Sequence, residues 1–227
     1  MSTKFLLLVS CYLLTACSAT AKLDSANEAF INTDIQAITN NLTRALWREQ
    51  LQWPKSCDDG VSHITKHVDD FIGVEVYDWL AGQKLLLVTC EIGPYQQGEM
   101  FYLETKQGSN KFELIDFLQF KLVEDAPESL MDNKEAALYY QFKAPLLSGK
   151  LYVDNDQGII RNDHFYRGSG GCGVSTTYSL LAPKSEQAVK AEIVSLSTKV
   201  LCDENNVAIS QWQKHSENEY STWPVFK

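Results

Sequence analysis

Residues 84–90 read Lys-Leu-Leu-Leu-Val-Thr-Cys, and this stretch carries the strongest structural prediction in the chain. A continuous apolar run of this length is typical of a strand that is buried on both faces. Residues 81–83 before it and Gly93-Pro94 after it have the composition of turns. We therefore predict a central strand with a turn at each end.

Several other segments have alternating, β-branched or aromatic residues and are separated by turn sequences. They cover residues 72–79, 101–105, 112–123, 137–142, 150–153, 159–166 and 174–181. Residues 107–110 and 154–158 are polar and contain glycine, so they predict turns between strands. Residues 185–201 fit either a helix or a strand. This pattern predicts a mainly β (α+β) fold with an antiparallel sandwich or barrel-like body.

One helix is predicted ahead of the strands. Thr33 and Gln36 have the spacing of a capping box, and apolar residues then follow at steps of three and four. These residues are Ile35, Ile38, Leu42, Ala45 and Leu46. Because Pro54 disfavours a helical residue before it, we place the helix at about residues 34–50, packed against the body. Residues 33–227 are predicted to form a single domain.

The N-terminal residues have the regions of an export signal: Lys4, an apolar run over residues 5–16, and small residues before Cys17. The run is shorter than the roughly 20 apolar residues that span a bilayer. The sequence Leu14-Thr15-Ala16-Cys17 resembles the lipobox of bacterial lipoproteins. The resemblance implies that residues 1–16 are a signal peptide and that Cys17 is lipidated, with palmitate-type acyl chains. The alternative is an ordinary secretory signal.

Lipidation would anchor the mature chain to a membrane. Residues 17–32 are polar and small, so they predict a short tether. In Gram-negative lipoproteins an aspartate after the lipidated cysteine usually marks the inner membrane, so Ser18 implies the outer membrane, with the body in the periplasm. Each buried methylene contributes about 0.8 kcal/mol, and two acyl chains already anchor stably.

The predicted mature body is acidic. Cleavage removes one of 20 basic residues and none of 29 acidic ones, so the formal net charge changes from −9 to −10. Such a charge argues against a nucleic-acid partner and against polybasic attachment to lipid. It favours a cationic partner instead.

Four cysteines follow the predicted signal: Cys57, Cys90, Cys172 and Cys202. An even number in an exported chain predicts two disulfides, with three possible connectivities. No pair has Cys-x-x-Cys spacing, so redox catalysis and a zinc ribbon are poorly supported. Because closing a shorter loop costs less entropy, we predict the pairs Cys57–Cys90 and Cys172–Cys202.

Several short motifs occur in a defined order along the chain. They are Trp53-Pro54 before Cys57, Cys90-Glu91-Ile92-Gly93-Pro94-Tyr95, the glycine cluster over residues 167–173 around Cys172, and Trp223-Pro224-Val225-Phe226. This order resembles an exported bacterial family of domains of unknown function, number 1176. Gly171 stands where that family has aspartate, and Phe226 where it usually has leucine before tryptophan. The resemblance covers about residues 50–227 and implies the cysteine framework, but no mechanism.

A candidate binding site lies in the glycine cluster. Its members are Arg167, Gly168, Ser169 and Gly170, with His164 nearby. Backbone amides of such a loop can cradle a phosphate or oxyanion, and arginine adds charge. The simpler interpretation is a tight bend that lets Cys172 reach its partner.

Two further sets of residues are candidates for a functional role. His63 and His67 would share one face of a helix, but Ile64 stands where a zinc protease needs its glutamate. They are weak metal candidates, and we predict neither a metal nor a cofactor. Trp53 and Trp79 are predicted core residues, whereas Trp212 and Trp223 are the better candidates for an exposed groove.

The leading functional hypothesis is a non-catalytic envelope lipoprotein that binds an envelope protein or component. One alternative is an envelope hydrolase using Ser169, Asp163 and His164, although adjacent strand residues such as Asp163 and His164 point to opposite faces. A glycosidase is also possible, because it needs only two carboxyl groups about 5–9.5 Å apart. The other alternative is an inhibitor of a basic wall-degrading enzyme, guided by charge.

Overall fold

The computed structural model describes residues 43–62, 71–123, 139–166, 171–181, 189–199, 202 and 207–226, which belong to one compact unit. The helices are Arg44–Leu51 (α1), Lys55–Val61 (α2) and Glu217–Tyr220 (α3). The strands are Val74–Asp78 (β1), Lys84–Ile92 (β2), Gln97–Glu104 (β3), Phe112–Leu114 (β4), Phe117–Leu122 (β5), Tyr139–Ala144 (β6), Leu146–Asp154 (β7), Ile159–Phe165 (β8), Gly173–Leu181 (β9), Lys190–Lys199 (β10) and Gln213–His215 (β11).

Nine strands form one antiparallel sheet in the order β1-β2-β3-β7-β8-β9-β10-β11, with β4 paired to β3. Strands β5 and β6 form a separate pair. The mainly β prediction is confirmed, and the ambiguous segment 185–201 contains a strand, β10. In the described part of the chain, β1 and β11 do not pair with each other, so the sheet remains open rather than closing into a barrel.

Strand β7 changes its pairing partner at Gly149. Residues 146–149 of β7 pair with β3, whereas residues 150–154 pair with β8. A Cβ atom at Gly149 would lie 2.8 Å from the backbone oxygen of Asp163, and the backbone φ there is +157°. Only glycine avoids both problems. Gly149 therefore joins a first half of the sheet, β1 to β4, to a second half, β8 to β11.

The main hydrophobic core lies between these two halves. The first half contributes Leu85, Leu87, Phe101 and Leu103, and the second contributes Ile160, Tyr178 and Leu180, all at most 6% exposed. The ring of Phe117 connects the two groups, because it makes edge contacts with Phe101 at 5.6 Å and with Tyr178 at 5.0 Å. Leu85 and Leu87 belong to the apolar run 84–90, which is buried as predicted.

A second core lies under the β5–β6 pair. It contains Phe120, Leu122, Tyr139, Val174, Leu196, Tyr220 and Trp223. The C-terminal segment is fixed to β6 by backbone hydrogen bonds in which Gln141 donates to Pro224 and Phe226 donates to Gln141. The terminal motif therefore completes this core.

The N-terminal helix is confirmed only in part: α1 begins at Arg44, after the extended N-cap residue Thr43, which was predicted to be helical, and it ends one residue beyond the predicted boundary. Residues 34–42 of the predicted helix lie outside the described residues. The predicted apolar face is wrong at this end of the helix. Leu46 is 39% exposed, and the buried side chains are Arg44 and Trp47. Arg44 is buried because its guanidinium donates to Asp58 and to two backbone carbonyls in the body. Helix α2 was not predicted.

Both predicted disulfides are present, Cys57–Cys90 and Cys172–Cys202, with Cα atoms 4.2 and 4.7 Å apart. The first joins α2 to β2 and the second joins the start of β9 to the segment after β10. Among the described helices, none is long and apolar enough to cross a bilayer.

Candidate functional site

A cavity of about 420 Å³ opens beside Gly149, where β7 changes its pairing partner. This volume falls within the range of small-molecule sites. The walls come from β1, β2, β3 and β7 and from the turn between β2 and β3. They include Glu75, Tyr77, Leu87, Gly93, Pro94, Tyr95, Gln96, Gln97, Glu99, Gly149, Lys150, Leu151 and Val153. We call this space the acidic cavity, because two glutamates line it.

Glu99 is the buried carboxyl of the acidic cavity, only 3% exposed. Its Oε1 atom accepts a hydrogen bond from the Thr89 hydroxyl at 3.2 Å. Its Oε2 atom is buried and accepts no hydrogen bond from the described residues. Burial, reinforced by the negative charge of Glu75, raises the pKa of Glu99 from 4.5 to about 7, although the Thr89 hydrogen bond and the charge of Arg44 act in the opposite direction.

Glu75 and Tyr77 lie on the same face of the sheet as Glu99, two strands away on β1. They lie two residues apart on β1, so they share one face of that strand. The Tyr77 hydroxyl donates to Glu75 Oε2 at 2.5 Å. Burial, and then the hydrogen bond to Glu75 and its charge, raise the pKa of Tyr77 above its ordinary value of 10.0. Tyr77 therefore stays protonated and holds the Glu75 carboxylate in place.

This arrangement supports two kinds of chemistry. A buried carboxylate with an unoccupied oxygen accepts a hydrogen bond from a bound ligand, and it prefers a charged donor. A carboxyl that keeps its proton near neutral pH, beside a second carboxylate, is also the pairing that glycosidases use as acid and base or nucleophile. The cavity thus suits ligand binding and acid catalysis.

We expect Glu99→Gln to stabilise the protein at pH 8 by about 2–3 kcal/mol and to have little effect at pH 4. A carboxyl with a raised pKa favours folding while protonated, and this contribution is lost as the pH rises from 4.5 to about 7. Glutamine never ionises, so the variant avoids that loss. Urea unfolding across this pH range measures the effect, with Glu192→Gln at an exposed position as control. Equal changes in the free energy of unfolding for both variants would contradict the prediction.

A second cavity of about 380 Å³ lies between the β5–β6 pair and strands β7 to β9. Asn162 and His164 line it from β8, and Glu91 and Lys121 are also in its walls. The His164 ring nitrogen Nδ1 is 2.9 Å from the Ser148 carbonyl oxygen. Its neighbour Asp163 is buried and accepts a hydrogen bond from the Ser175 hydroxyl. Asp163 and His164 therefore use opposite faces of β8, as predicted.

A hydroxyl–imidazole–carboxylate series occurs near the C-terminus. Thr198 Oγ1 lies 2.8 Å from His215 Nε2, and His215 Nδ1 lies 2.6 Å from Glu219 Oε1. The order of groups is that of a catalytic triad. However, Thr198 is only 2% exposed and the His215 ring packs against Trp223 at 5.0 Å. The series therefore attaches β11 and α3 to β10 and offers no accessible nucleophile.

Most of the sequence-predicted site residues lie outside the described residues. They are Cys17, His63, His67, Arg167, Gly168, Ser169 and Gly170, together with the signal peptide and the tether. The predictions for them stay predictions. Asp58, close to the two histidines in sequence, is occupied by Arg44 and Arg48. Within the described ranges, no three His, Cys, Asp or Glu side chains form a group that could hold a metal ion.

The prediction that Trp212 and Trp223 line an exposed groove is wrong. They are 4% and 7% exposed, and each ring packs against another aromatic ring, Phe165 and Tyr139 respectively. Their position near a polar terminus was misleading, because the terminal segment folds back onto the body. Trp53 and Trp79 are buried as predicted.

The acidic cavity was not predicted, although part of its signal is in the sequence. Glu99 alternates with Phe101 and Leu103, so it falls on the core-facing side of β3. A carboxylate among core positions is a marker of a functional site. The pairing of β1 with β2, which brings Glu75 to the same place, depends on strand register that the sequence does not reveal.

Comparison of the chain with protein-family models, with curated proteins and with solved structures found no match. The resemblance to the exported family of unknown function therefore depends on the order of its motifs and stays a prediction.

Proposed function

We propose that this protein is a lipid-anchored binding protein of the outer membrane, whose periplasmic body holds a small polar ligand in the acidic cavity. The lipobox-like sequence at residues 14–17 and Ser18 support the anchor and its membrane. Two disulfides support an oxidising compartment. The observation that carries the binding function is Glu99, a buried carboxyl in a cavity wall with one oxygen that no described residue engages.

The ligand-binding part of this proposal is tested with the full-length protein in detergent micelles. Ligand-observed NMR is recorded with a panel of amino acids, polyamines, monosaccharides and amino sugars. We expect at least one compound to bind saturably and to lose binding in Glu75→Gln and Glu99→Gln, whereas Glu192→Gln, an exposed site on β10, binds normally. Absence of binding by the whole panel, or binding that ignores the cavity variants, would refute the proposal.

The anchoring part is tested by Cys17→Ala. Without the thiol there is no lipid attachment, so the protein should leave the membrane fraction or accumulate unprocessed. Fractionation with a carbonate wash, followed by immunoblotting, measures this. A variant that still fractionates with the outer membrane would show that another feature holds it there. Ser18→Asp is the matched test of sorting, with retention in the inner membrane as the expected result.

A second candidate function is glycoside hydrolysis, and the specific observation that favours it is the pair Glu75 and Glu99 in one cavity, with the pKa of Glu99 near 7. Incubation with peptidoglycan and envelope polysaccharides, with assay of new reducing ends, separates the two candidates. Turnover that disappears in both Glu75→Gln and Glu99→Gln would establish the hydrolase and displace the binding-only proposal.

A further inference from the structure

Building on the proposed binding function, we propose that the acidic cavity takes a ligand with a protonated amine, held between Glu75 and Glu99 with Tyr95 at the entrance. The charges in the cavity walls, the hydrogen bonds left open there and the aromatic side chains around it favour this class of ligand.

Charge balance favours an amine. An ionised carboxylate buried without a cation is costly, and within the described residues buried Glu99 forms no ion pair, whereas Glu75 is exposed and solvated. Two positive groups of the chain lie near Glu99 or line its cavity. Arg44 is engaged by Asp58, and the Lys150 ammonium lies over the Tyr152 ring at 5.2 Å. An ammonium group from a ligand would supply the missing charge.

Hydrogen-bond geometry also favours an amine. Glu99 Oε2 is a buried acceptor for which the described residues provide no donor, and an ammonium has three donors. The hydroxyls near the two glutamates are already committed, because Thr89 donates to Glu99 and Tyr77 donates to Glu75. Glu75 is exposed and lines the cavity, so an ammonium can bind it directly, whereas Glu99 Oε2 has almost no accessible surface and accepts a ligand hydrogen bond once the Glu99 side chain turns into the cavity.

The entrance of the cavity carries an aromatic side chain. Tyr95 is 72% exposed on the turn between β2 and β3, and it lines the cavity. An exposed aromatic ring beside carboxylates is a favourable place for an organic cation, because the ring face attracts positive charge. A neutral sugar would stack on the same ring, but it would leave the two carboxylates without a counter-charge.

Binding of an amine in this cavity should depend on pH. An ammonium binds the ionised form of Glu99, whose pKa of about 7 places most of its change between pH 5 and 8. The other groups that act on it are Glu75 on β1, the Thr89 hydroxyl on β2 and Arg44 on α1, and Lys150 on β7 lines the same cavity. We expect the affinity for an amine to rise at least tenfold from pH 5 to pH 8.

The experiment compares matched probes on the full-length protein in detergent micelles. Calorimetry is run with 1,4-diaminobutane against 1,4-butanediol, and with glucosamine against glucose, at pH 5, 6, 7 and 8. We expect an amine to bind at least tenfold more tightly than its neutral partner at pH 8, and to lose at least tenfold in Glu75→Gln and in Glu99→Gln. Glu192→Gln should leave binding unchanged.

The outcomes separate the inference from the function on which it rests. Equal binding of an amine and its neutral partner, suppressed by the cavity variants, would overturn the amine inference and leave the binding function in place. Failure of both amines to bind at pH 8 would also overturn it, and the wider NMR panel then decides the binding function. Retained pH dependence in Glu99→Gln would show that another group carries the effect.

Discussion

Replacing Arg44 with alanine should lower the free energy of unfolding by about 3–5 kcal/mol, the cost of removing one partner of a buried ion pair. The Arg44 side chain is fully buried, and its Nε donates to Asp58 Oδ1 at 2.8 Å. Its other nitrogens donate to the carbonyls of Ile72 and Thr89 and to the sulfur of Cys57. Alanine would leave a buried carboxylate and two backbone acceptors without this donor.

The contacts of Arg44 also explain why the loss would extend beyond one helix. The guanidinium lies 5.0 Å from the Trp53 ring and 5.8 Å from the Phe71 ring. It thus connects α1, the Trp53-Pro54 segment, α2 and β2 at a single point. Its removal should loosen the whole N-terminal side of the sheet, which hydrogen exchange of the α2 and β2 amides would detect.

Arg48→Ala is the matched control, because Arg48 donates to the other oxygen of the same carboxylate at 2.6 Å but its side chain is 43% exposed. Partly exposed pairs contribute about 1 kcal/mol or less. Guanidinium chloride unfolding of both variants gives the comparison. If Arg44→Ala lowers the free energy of unfolding no more than Arg48→Ala does, the buried hydrogen bonds of Arg44 do not stabilise the fold as proposed.

The same network gives a pH dependence. Burial raises the pKa of Asp58, but hydrogen bonds from Arg48, Arg44 and Trp53 outweigh it, so the net pKa lies below 3.8. A carboxyl with a lowered folded-state pKa contributes stability above its unfolded pKa and loses it as the pH falls through the folded value. Stability of the wild type should therefore decrease more steeply below pH 4 than that of Arg44→Ala.

The sequence predicted those parts of the fold that depend on local pattern. The strands follow from alternation and from turn signals, and the turn at residues 154–158 joins β7 to β8 as expected, with the Gln157 amide donating to the Asp154 side chain. Such turns are set by residues a few positions apart. The disulfide pairing also followed from loop length alone.

The parts that were missed depend on contacts between distant residues. At α1, the apolar pattern indicated Leu46, but the helix buries Arg44 because a partner 14 residues away neutralises it. The acidic cavity requires the register of β1 on β2 and of β3 on β7. No local pattern contains this register, although the place of Glu99 on the core face of its strand could have suggested a site.

Removal of the Cys57–Cys90 disulfide is the other large effect that we expect. The bond closes a loop of 33 residues, for which the chain-entropy relation gives about 4 kcal/mol. The paired change Cys57→Ala with Cys90→Ala should reduce the free energy of unfolding by this amount, measured by urea denaturation. The urea dependence should steepen, because the unfolded chain becomes more extended.

The Cys172–Cys202 bond is the matched comparison, since its loop of 30 residues gives nearly the same entropy. Any additional decrease in the free energy of unfolding on removal of Cys57–Cys90 then measures the contribution of local contacts. One such contact is the Arg44 nitrogen 3.4 Å from the Cys57 sulfur, and another is the close packing of α2 on β2, where a Cβ atom at Gly60 would lie 3.1 Å from Glu91 Cγ. The effects on stability of substitutions at contacting residues are not additive. When Arg44 and the disulfide are both removed, the decrease in the free energy of unfolding should therefore differ from the sum of the two separate decreases. Simple additivity would show that the guanidinium and the disulfide act independently.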